Sequence, residues 1–421
     1  MSDSEANEIV TITDGEDRPG GKVETSSVLI GVLEAPCQSL TLDQYQDLAR
    51  GTDRTAGKTP QSLDFPLLGL FGEAGSLLSV LKKKQRDADS YVGYEASVVE
   101  ELGDVLWYFS ILATRADIRL SALALQLQSD NTNDQTHEIA FVGLQPSLSA
   151  AGPMPSAAFE KTLMRLAGEV GKLTADFSAG RISDDSDLLS AHMASIFGAL
   201  IAAANVAQVS LAEAAHRNLG KTYDRWPQER IYPPLFDEND DPSEQIPRRI
   251  EMQIFEKTVN DQTYVFMRCN DINIGDRLTD NKLEKDDYRF HDVFHLAYAA
   301  ILGWSPVLRA LFRVKRKSRP EIDDTEDGAR AILIEEGVST WIFNHAAPLN
   351  FFENLTSVDY GLLKAVRGLV AGYEAERCPL WLWEEAILKS YEMFRALRQH
   401  RRGVIIADLN DRTITFEKMP V

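Results

Sequence analysis

Apolar positions in this chain recur mostly at three- and four-residue steps, the period of a helix buried along one stripe. Tyr45, Leu48 and Ala49 form such a stripe just after Thr41 and Gln44, a pair spaced as a capping box, so order is expected to begin at Thr41. Pro66 suits the first turn of a second helix, which runs through Glu73 to about Lys84 and closes on the cations Lys82-Lys83-Lys84. The same period predicts helices over Tyr94 to Arg115, Leu120 to Leu127, 157–178, 186–206 and 210–225, the last ended by Trp226-Pro227. After about residue 248 the pattern changes. Arg249 to Phe255 alternates at the strand period, and Thr263 to Met267 follows the turn signal Asn260-Asp261 as the second arm of a hairpin. Helical periodicity returns from Tyr288 to about His400, including a helix over Ala329 to Phe343. Val404 to Ile406 and Thr413 to Phe416, separated by Asn410-Asp411, read as a last hairpin. The fold class expected is mainly α: a tandem helical bundle plus an α-rich C-terminal domain with a small β-hairpin.

An internal repeat organises the first half. Leu70-Phe71-Gly72-Glu73-Ala74-Gly75-Ser76-Leu77 returns as Leu166-Ala167-Gly168-Glu169-Val170-Gly171-Lys172-Leu173, with Glu73 and Glu169 96 residues apart. The following helices correspond at an offset of 91, so that Glu101 and Asp104 of the first copy become His192 and Ser195 in the second. One copy keeps an acidic set that the other has lost, as in a fused pseudo-dimer with one competent site. The domains expected are a flexible tail over 1–38, a first copy over 39–130, a polar linker over 131–156, a degenerate second copy over 157–228 and a C-terminal domain over 248–421. The acidic, Pro-bearing stretch Asp237 to Pro247 reads as the linker before the last.

Composition narrows the function. The net charge of −20 repels polymeric nucleic acid and anionic membrane. No apolar run is expected to approach the roughly 20 residues of a membrane span, and the N-terminus lacks a signal-peptide pattern. Cys37, Cys269 and Cys378 lie far apart, which fits a reducing, cytoplasmic setting and excludes a disulfide framework or thiolate zinc site.

Glu101 and Asp104, three apart, share a helix face, and Glu73 on the preceding antiparallel helix can meet them. Glu100 points elsewhere unless the helix rolls. Three converging carboxylates require a compensating cation, and hard oxygen ligands select Mg²⁺ or Mn²⁺. The competing reading is a solvated acidic helix face; against it, these acids are interleaved with Val98, Val99, Leu102, Val105 and Leu106.

The run Leu68-Gly69-Leu70-Phe71-Gly72-Glu73-Ala74-Gly75, then Lys82-Lys83, then Glu100-Glu101-Leu102-Gly103-Asp104-Val105-Leu106-Trp107-Tyr108, resembles the MazG-like all-α nucleoside triphosphate pyrophosphohydrolases. The resemblance covers about Leu40 to Asp130 and extends weakly to Pro227. It implies Glu-x-x-Glu on one helix and Glu-x-x-Asp on the next; Glu73, Glu101 and Asp104 match, while Ser76 stands where the second Glu is expected. It further implies that Asn218, Lys221 and Arg225 meet substrate phosphates, although they could equally be an exposed helix end. Lys83 and Trp107 join the substrate-binding set, Trp107 or Tyr108 as a stacking surface for a base. The activity implied is Mg²⁺-dependent cleavage of a nucleoside triphosphate to monophosphate and pyrophosphate, with Glu100 or Glu73 taking the proton of the attacking water. The alternative is a catalytically weak nucleotide-binding sensor, marked by Ser76. The internal fusion leaves further homodimerisation open.

A second constellation lies in the C-terminal half. His291 and His295 stand four apart, and Glu335-Glu336 follows on a later helix, a spacing that fits a metal site. The same histidines read equally as core residues bonded to Asp292 or Glu335. This segment resembles domains fused to MazG-like proteins. The basic run Lys315-Arg316-Lys317-Ser318-Arg319 is expected to be an exposed loop neutralised by Asp323 and Asp324.

Overall fold

The computed structural model describes residues 35–55, 62–127, 138–148, 155–182 and 186–419. The tail read over 1–38 falls almost wholly outside them. The chain divides into two compact units, Met1–Glu229 and Arg230–Val421.

The first unit is helical: α1 (Leu42–Gly51), α2 (Asp64–Asp87), α3 (Tyr94–Arg115), α4 (Leu120–Leu127), α5 (Ala157–Ser178), α6 (Ser186–Ala207) and α7 (Leu211–Arg225). Local chemistry sets the starts. Thr41 and Gln44 form both bonds of the capping box, at 3.1 and 3.2 Å. The Ser156 and Ser210 hydroxyls accept from the N–H groups of Phe159 and Glu213 in the first turns of α5 and α7. Helix α2 passes Lys84 and ends at Asp87.

The two copies pack as partners in a pseudo-twofold arrangement. Helix α2 lies against α5, α3 against α7, and α4 against α6, so that each pairing is exchanged for its counterpart by the repeat. Gln46 accepts from the Leu120 N–H at 2.9 Å and donates to the Ile118 carbonyl at 2.8 Å. Gln145 repeats this on Leu211 at 2.7 Å and Val209 at 2.9 Å. Asp117 and Gln208, one repeat apart, both take φ +58°. The copies meet in a short antiparallel bridge between Thr41 and Ala140, where Leu42 N–H donates to Ile139 and Phe141 N–H donates to Leu40. The second copy therefore begins near Ile139, inside the stretch read as a linker over 131–156. Its equivalent of α1 has shrunk to the single turn Phe141–Leu144, held by the fully buried Phe141.

The segments Asp64–Ser90 and Ser186–Ala207 reach the length and mean hydropathy, 1.3 and 1.5, of membrane spans. This departs from the expectation that no apolar run approaches the length of a span, because mean hydropathy tolerates an occasional charge. Here both pack within the bundle, with Leu70, Leu77, Met193, Ile196 and Leu200 in its core.

The second unit pairs helices with one sheet. Strands β1 (Arg249–Val259), β2 (Gln262–Cys269) and β3 (Ile272–Leu278) are followed by α8 (Asp292–Ala297), α9 (Pro306–Phe312), α10 (Pro320–Thr325), α11 (Ala329–Ala346), α12 (Tyr360–Leu369) and α13 (Leu380–His400), then β4 (Arg402–Asp408) and β5 (Thr413–Glu417). The two expected hairpins merge, because β1 pairs with β4, into one antiparallel sheet of order β3-β2-β1-β4-β5. Asn260-Asp261 and Asn270-Asp271 both turn with positive φ, which suits the right-handed twist of tight hairpins. Ile250, Met252, Ile254, Ile405 and Ala407 share the buried face of this sheet, whose β4 and β5 carry α13.

The stretch Asp237 to Pro247 is not a linker. Asp237 is buried and accepts from Ile246 N–H at 2.8 Å, Arg248 at 2.7 Å and Arg309 at 2.8 Å. Nor is Arg316 an exposed loop cation: it is 1% exposed and holds Asp327 at 2.7 Å and Glu374 at 2.9 Å, not Asp323 or Asp324. A guanidinium this buried persists because two carboxylates pair with it at hydrogen-bond distance. Hence Asp327→Ala, which leaves the buried Arg316 with Glu374 alone, should cost about 3–5 kcal/mol in denaturant unfolding. In the first unit, Gln46→Leu and Gln145→Leu should each cost about 1–3 kcal/mol by leaving a buried N–H unsatisfied; similar losses for both would bear out the duplicated role, and a loss in only one would contradict it.

Candidate functional site

Helices α2 and α3 run side by side and present Glu73, Glu101 and Asp104 to one point, their nearest oxygens all within 4.8 Å of one another. The third element is α7 of the second copy. Gly103 lets it approach: a Cβ there would stand 2.8 Å from the Ala214 carbonyl and 3.1 Å from Asn218 Cβ. Asn218 consequently donates to Asp104 Oδ1 at 3.0 Å, and Lys221 reaches Asp104 Oδ2 at 2.5 Å and Glu100 Oε1 at 3.2 Å. Tyr45 O–H donates to Asn218 Oδ1 at 3.2 Å and fixes its amide. Glu100, read as pointing elsewhere, is thus drawn to the site through Lys221. Beside it opens a cleft of about 230 Å³ lined by Ala96, Glu100, Arg217, Asn218 and Lys221.

The electrostatics follow from burial and crowding. Burial and then the Asp104, Glu73 and Glu100 charges push Glu101 up to about 7. Burial raises Glu73, with Asp104 adding to it; Lys221 and the Ser76 hydroxyl pull the other way. Burial raises Asp104 too, against the pull of Lys221. Such a cluster favours either a retained proton or a nearby cation.

Other expected site residues sit elsewhere. Lys83 lies ten residues beyond Glu73, about 15 Å along α2, and is exposed. Trp107 is buried, donates its indole N–H to Thr52 at 2.9 Å and meets Tyr108 edge-on, so it offers no face to a base. Arg225 lies over the Trp226 ring at 4.5 Å. The arginine lining the cleft is Arg217, missed in the sequence although it stands four residues before Lys221 on the same face. In the second copy Glu169 pairs with Lys172 and His192 with Asp176.

The second constellation also assembles. His291, Asp292 and His295 offer ligand atoms within 4.8 Å of one another. Glu336 comes to 3.7 Å of His291 Nε2 and 3.4 Å of His295 Nε2, and Glu335 accepts from His295 Nδ1 at 2.9 Å. Burial alone would depress His295, but the Glu335 and Glu336 carboxylates outweigh it and raise its pKa well above the usual range.

Residues 231–420 match the family model described as the MazG C-terminal domain, beginning where the second unit begins. That match ties the second unit to proteins of MazG type. The Gene 37 protein of Mycobacterium phage L5 is 38% identical over 65 residues, 15% of this chain and 57% of that protein's length. The chain thus spans little more than half of the curated relative it matches. No solved structure matches it.

The Glu101 shift carries a sign. Its proton favours the folded state below about pH 4.5, and that contribution is lost as pH rises through about 7. In metal-free protein, Glu101→Gln should therefore gain thermal stability relative to the parent as pH climbs through this window. A difference that stays constant with pH would rule the shift out.

Proposed function

We propose that the first unit is a divalent-cation-dependent nucleotide pyrophosphohydrolase that cleaves a nucleoside triphosphate to monophosphate and pyrophosphate. One observation carries this reading: Asn218 and Lys221 of the second copy reach Asp104 of the first, which joins phosphate-binding groups to carboxylates as the MazG-like resemblance implies. The match of the second unit to the MazG C-terminal domain supports the same relation.

The donor set suits Mg²⁺ or Mn²⁺, since three carboxylates converge and two of them are raised by burial and mutual repulsion. Glu73, Glu101 and Asp104 would hold the ion. When bound, it supplies Lewis-acid polarisation of a phosphoryl oxygen and a more acidic water. Lys221 and Arg217, at the cleft wall, neutralise phosphate charge. Glu100, or the second oxygen of Glu73, takes the proton of the attacking water. Ser76 favours a second reading, a catalytically weak nucleotide sensor, because it removes one carboxylate from the expected pattern.

The test is a panel of common and modified nucleoside triphosphates with Mg²⁺ or Mn²⁺, scored for pyrophosphate and monophosphate. Turnover should vanish in Glu101→Gln and drop on the order of 10²-fold in Lys221→Met. Nucleotide binding without turnover, with turnover gained in Ser76→Glu, would replace the enzyme by the sensor. Neither binding nor turnover would sink both.

A further inference from the structure

The C-terminal unit carries a second cluster that the proposed hydrolysis does not use. It is built on two helices and the turn before the first. His291 stands immediately before α8, Asp292 opens that helix, His295 lies one turn along, and Glu335 and Glu336 come from α11. His295 is fully buried, and its Nε2 makes no hydrogen bond.

Hydrogen bonds fix which nitrogen of each ring faces the cluster. His291 Nδ1 lies 2.9 Å from the Tyr288 carbonyl, which can only accept, so that nitrogen carries the proton. His295 Nδ1 lies 2.9 Å from the Glu335 carboxylate and is likewise the donor. The Nε2 of each ring therefore faces Asp292 and Glu336, and an ion bound there takes the place of any proton on it. The Tyr288 ring stacks on His291 at 4.4 Å and 1° and holds its plane. Glu335 is occupied on the far side: Ser305 and the Val307 N–H complete its oxygens at 2.7 and 2.8 Å. A ligating histidine oriented from behind by a carboxylate is the usual outer-shell arrangement of a metal centre.

The spacing fits an ion. His291 Nε2 and Asp292 Oδ1 are 3.5 Å apart, His295 Nε2 and Asp292 Oδ1 4.0 Å, and Glu336 lies 3.7 and 3.4 Å from the two rings. Ligands about 2.05 Å from a tetrahedral ion stand about 3.4 Å from each other. With both imidazoles neutral, as ligation requires, Asp292 and Glu336 bring two negative charges that one divalent ion cancels. Glu336, 37% exposed, leaves the site open to solvent on its side.

We propose that this unit binds one divalent first-row transition-metal ion through His291, His295, Asp292 and Glu336, with Glu335 as the positioning residue behind His295. The paired imidazoles select such an ion over Mg²⁺, which sets this site apart from the all-carboxylate cluster of the first unit.

The experiment is a Co²⁺ titration of the full chain carrying Glu101→Gln and Asp104→Asn, so that the acidic cluster does not contribute, read by visible absorption with circular dichroism as the fold control. A d–d band saturating at one equivalent is expected, displaced by Zn²⁺ and indifferent to excess Mg²⁺. Glu335→Gln should weaken binding about 10–100-fold. His291→Ala should abolish the band, and Glu336→Gln, at a partly exposed position, tests the same point should the histidine variant fail to fold. A folded protein that gives no band at one equivalent, or a band unchanged in Glu336→Gln and His291→Ala, would overturn the proposal.

Discussion

Charge crowding is the constraint to which the first unit answers. Three carboxylates within 4.8 Å on two packed helices repel one another, and partial burial deprives them of the water that would screen them. The neighbourhood shows the response. Glu101 is pushed up to about 7, Lys221 spans Asp104 and Glu100, and Asn218 donates into the same carboxylate. These compensating groups come from the other copy of the repeat, and they arrive only because Gly103 leaves no Cβ between α3 and α7. The internal duplication is thus tied to the acidic site: one copy supplies the charges and the other offsets them. At the mirrored position the demand is gone. There Ser195 stands in place of Asp104, His192 pairs with Asp176, and the repeat counterpart of Asn218 is the apolar Leu127.

The second unit handles buried charge differently. Several of its buried acids are matched with guanidinium groups or rings: Asp327 with Arg316, Asp237 with Arg309 and Arg248, Glu335 with His295. Such pairing rigidifies a core but leaves little charge for a ligand. What remains unbalanced is the face where His291 and His295 turn toward Asp292 and Glu336. The two units therefore present different chemistries, hard oxygens in one and a mixed nitrogen and oxygen set in the other. Ligand softness, rather than affinity alone, separates what each can hold.

Much of this was legible in the sequence, for identifiable reasons. The limits of α3 and α4 follow the apolar period, and Thr41 with Gln44 marks a start through side-chain bonds that can be read locally. The meeting of Glu73, Glu101 and Asp104 follows from helix geometry once α2 and α3 are taken as antiparallel. What escaped depends on contacts between distant segments. The strand Ile272–Leu278 has an almost wholly solvated pattern and is fixed by pairing with β2. Arg316 looks like a surface cation until Asp327 and Glu374 fold around it, and Trp107 looks like a base-stacking surface until Thr52 claims its N–H. Asp292 was read only as a partner for the histidines; the rotation of α8 makes it a member of the cluster.

Ser76 is the local departure that bears most on the proposed chemistry. Where the resembling pattern carries a fourth carboxylate, this chain places a hydroxyl that bonds to Glu73. The exchange removes one negative charge while keeping a polar partner on the same turn. Glu73, Glu101 and Asp104 are offset only in part by Lys221, which also bonds Glu100. Under the proposed function, phosphate neutralisation would then fall more heavily on Lys221 and Arg217, the side chains that the second copy brings to the cleft.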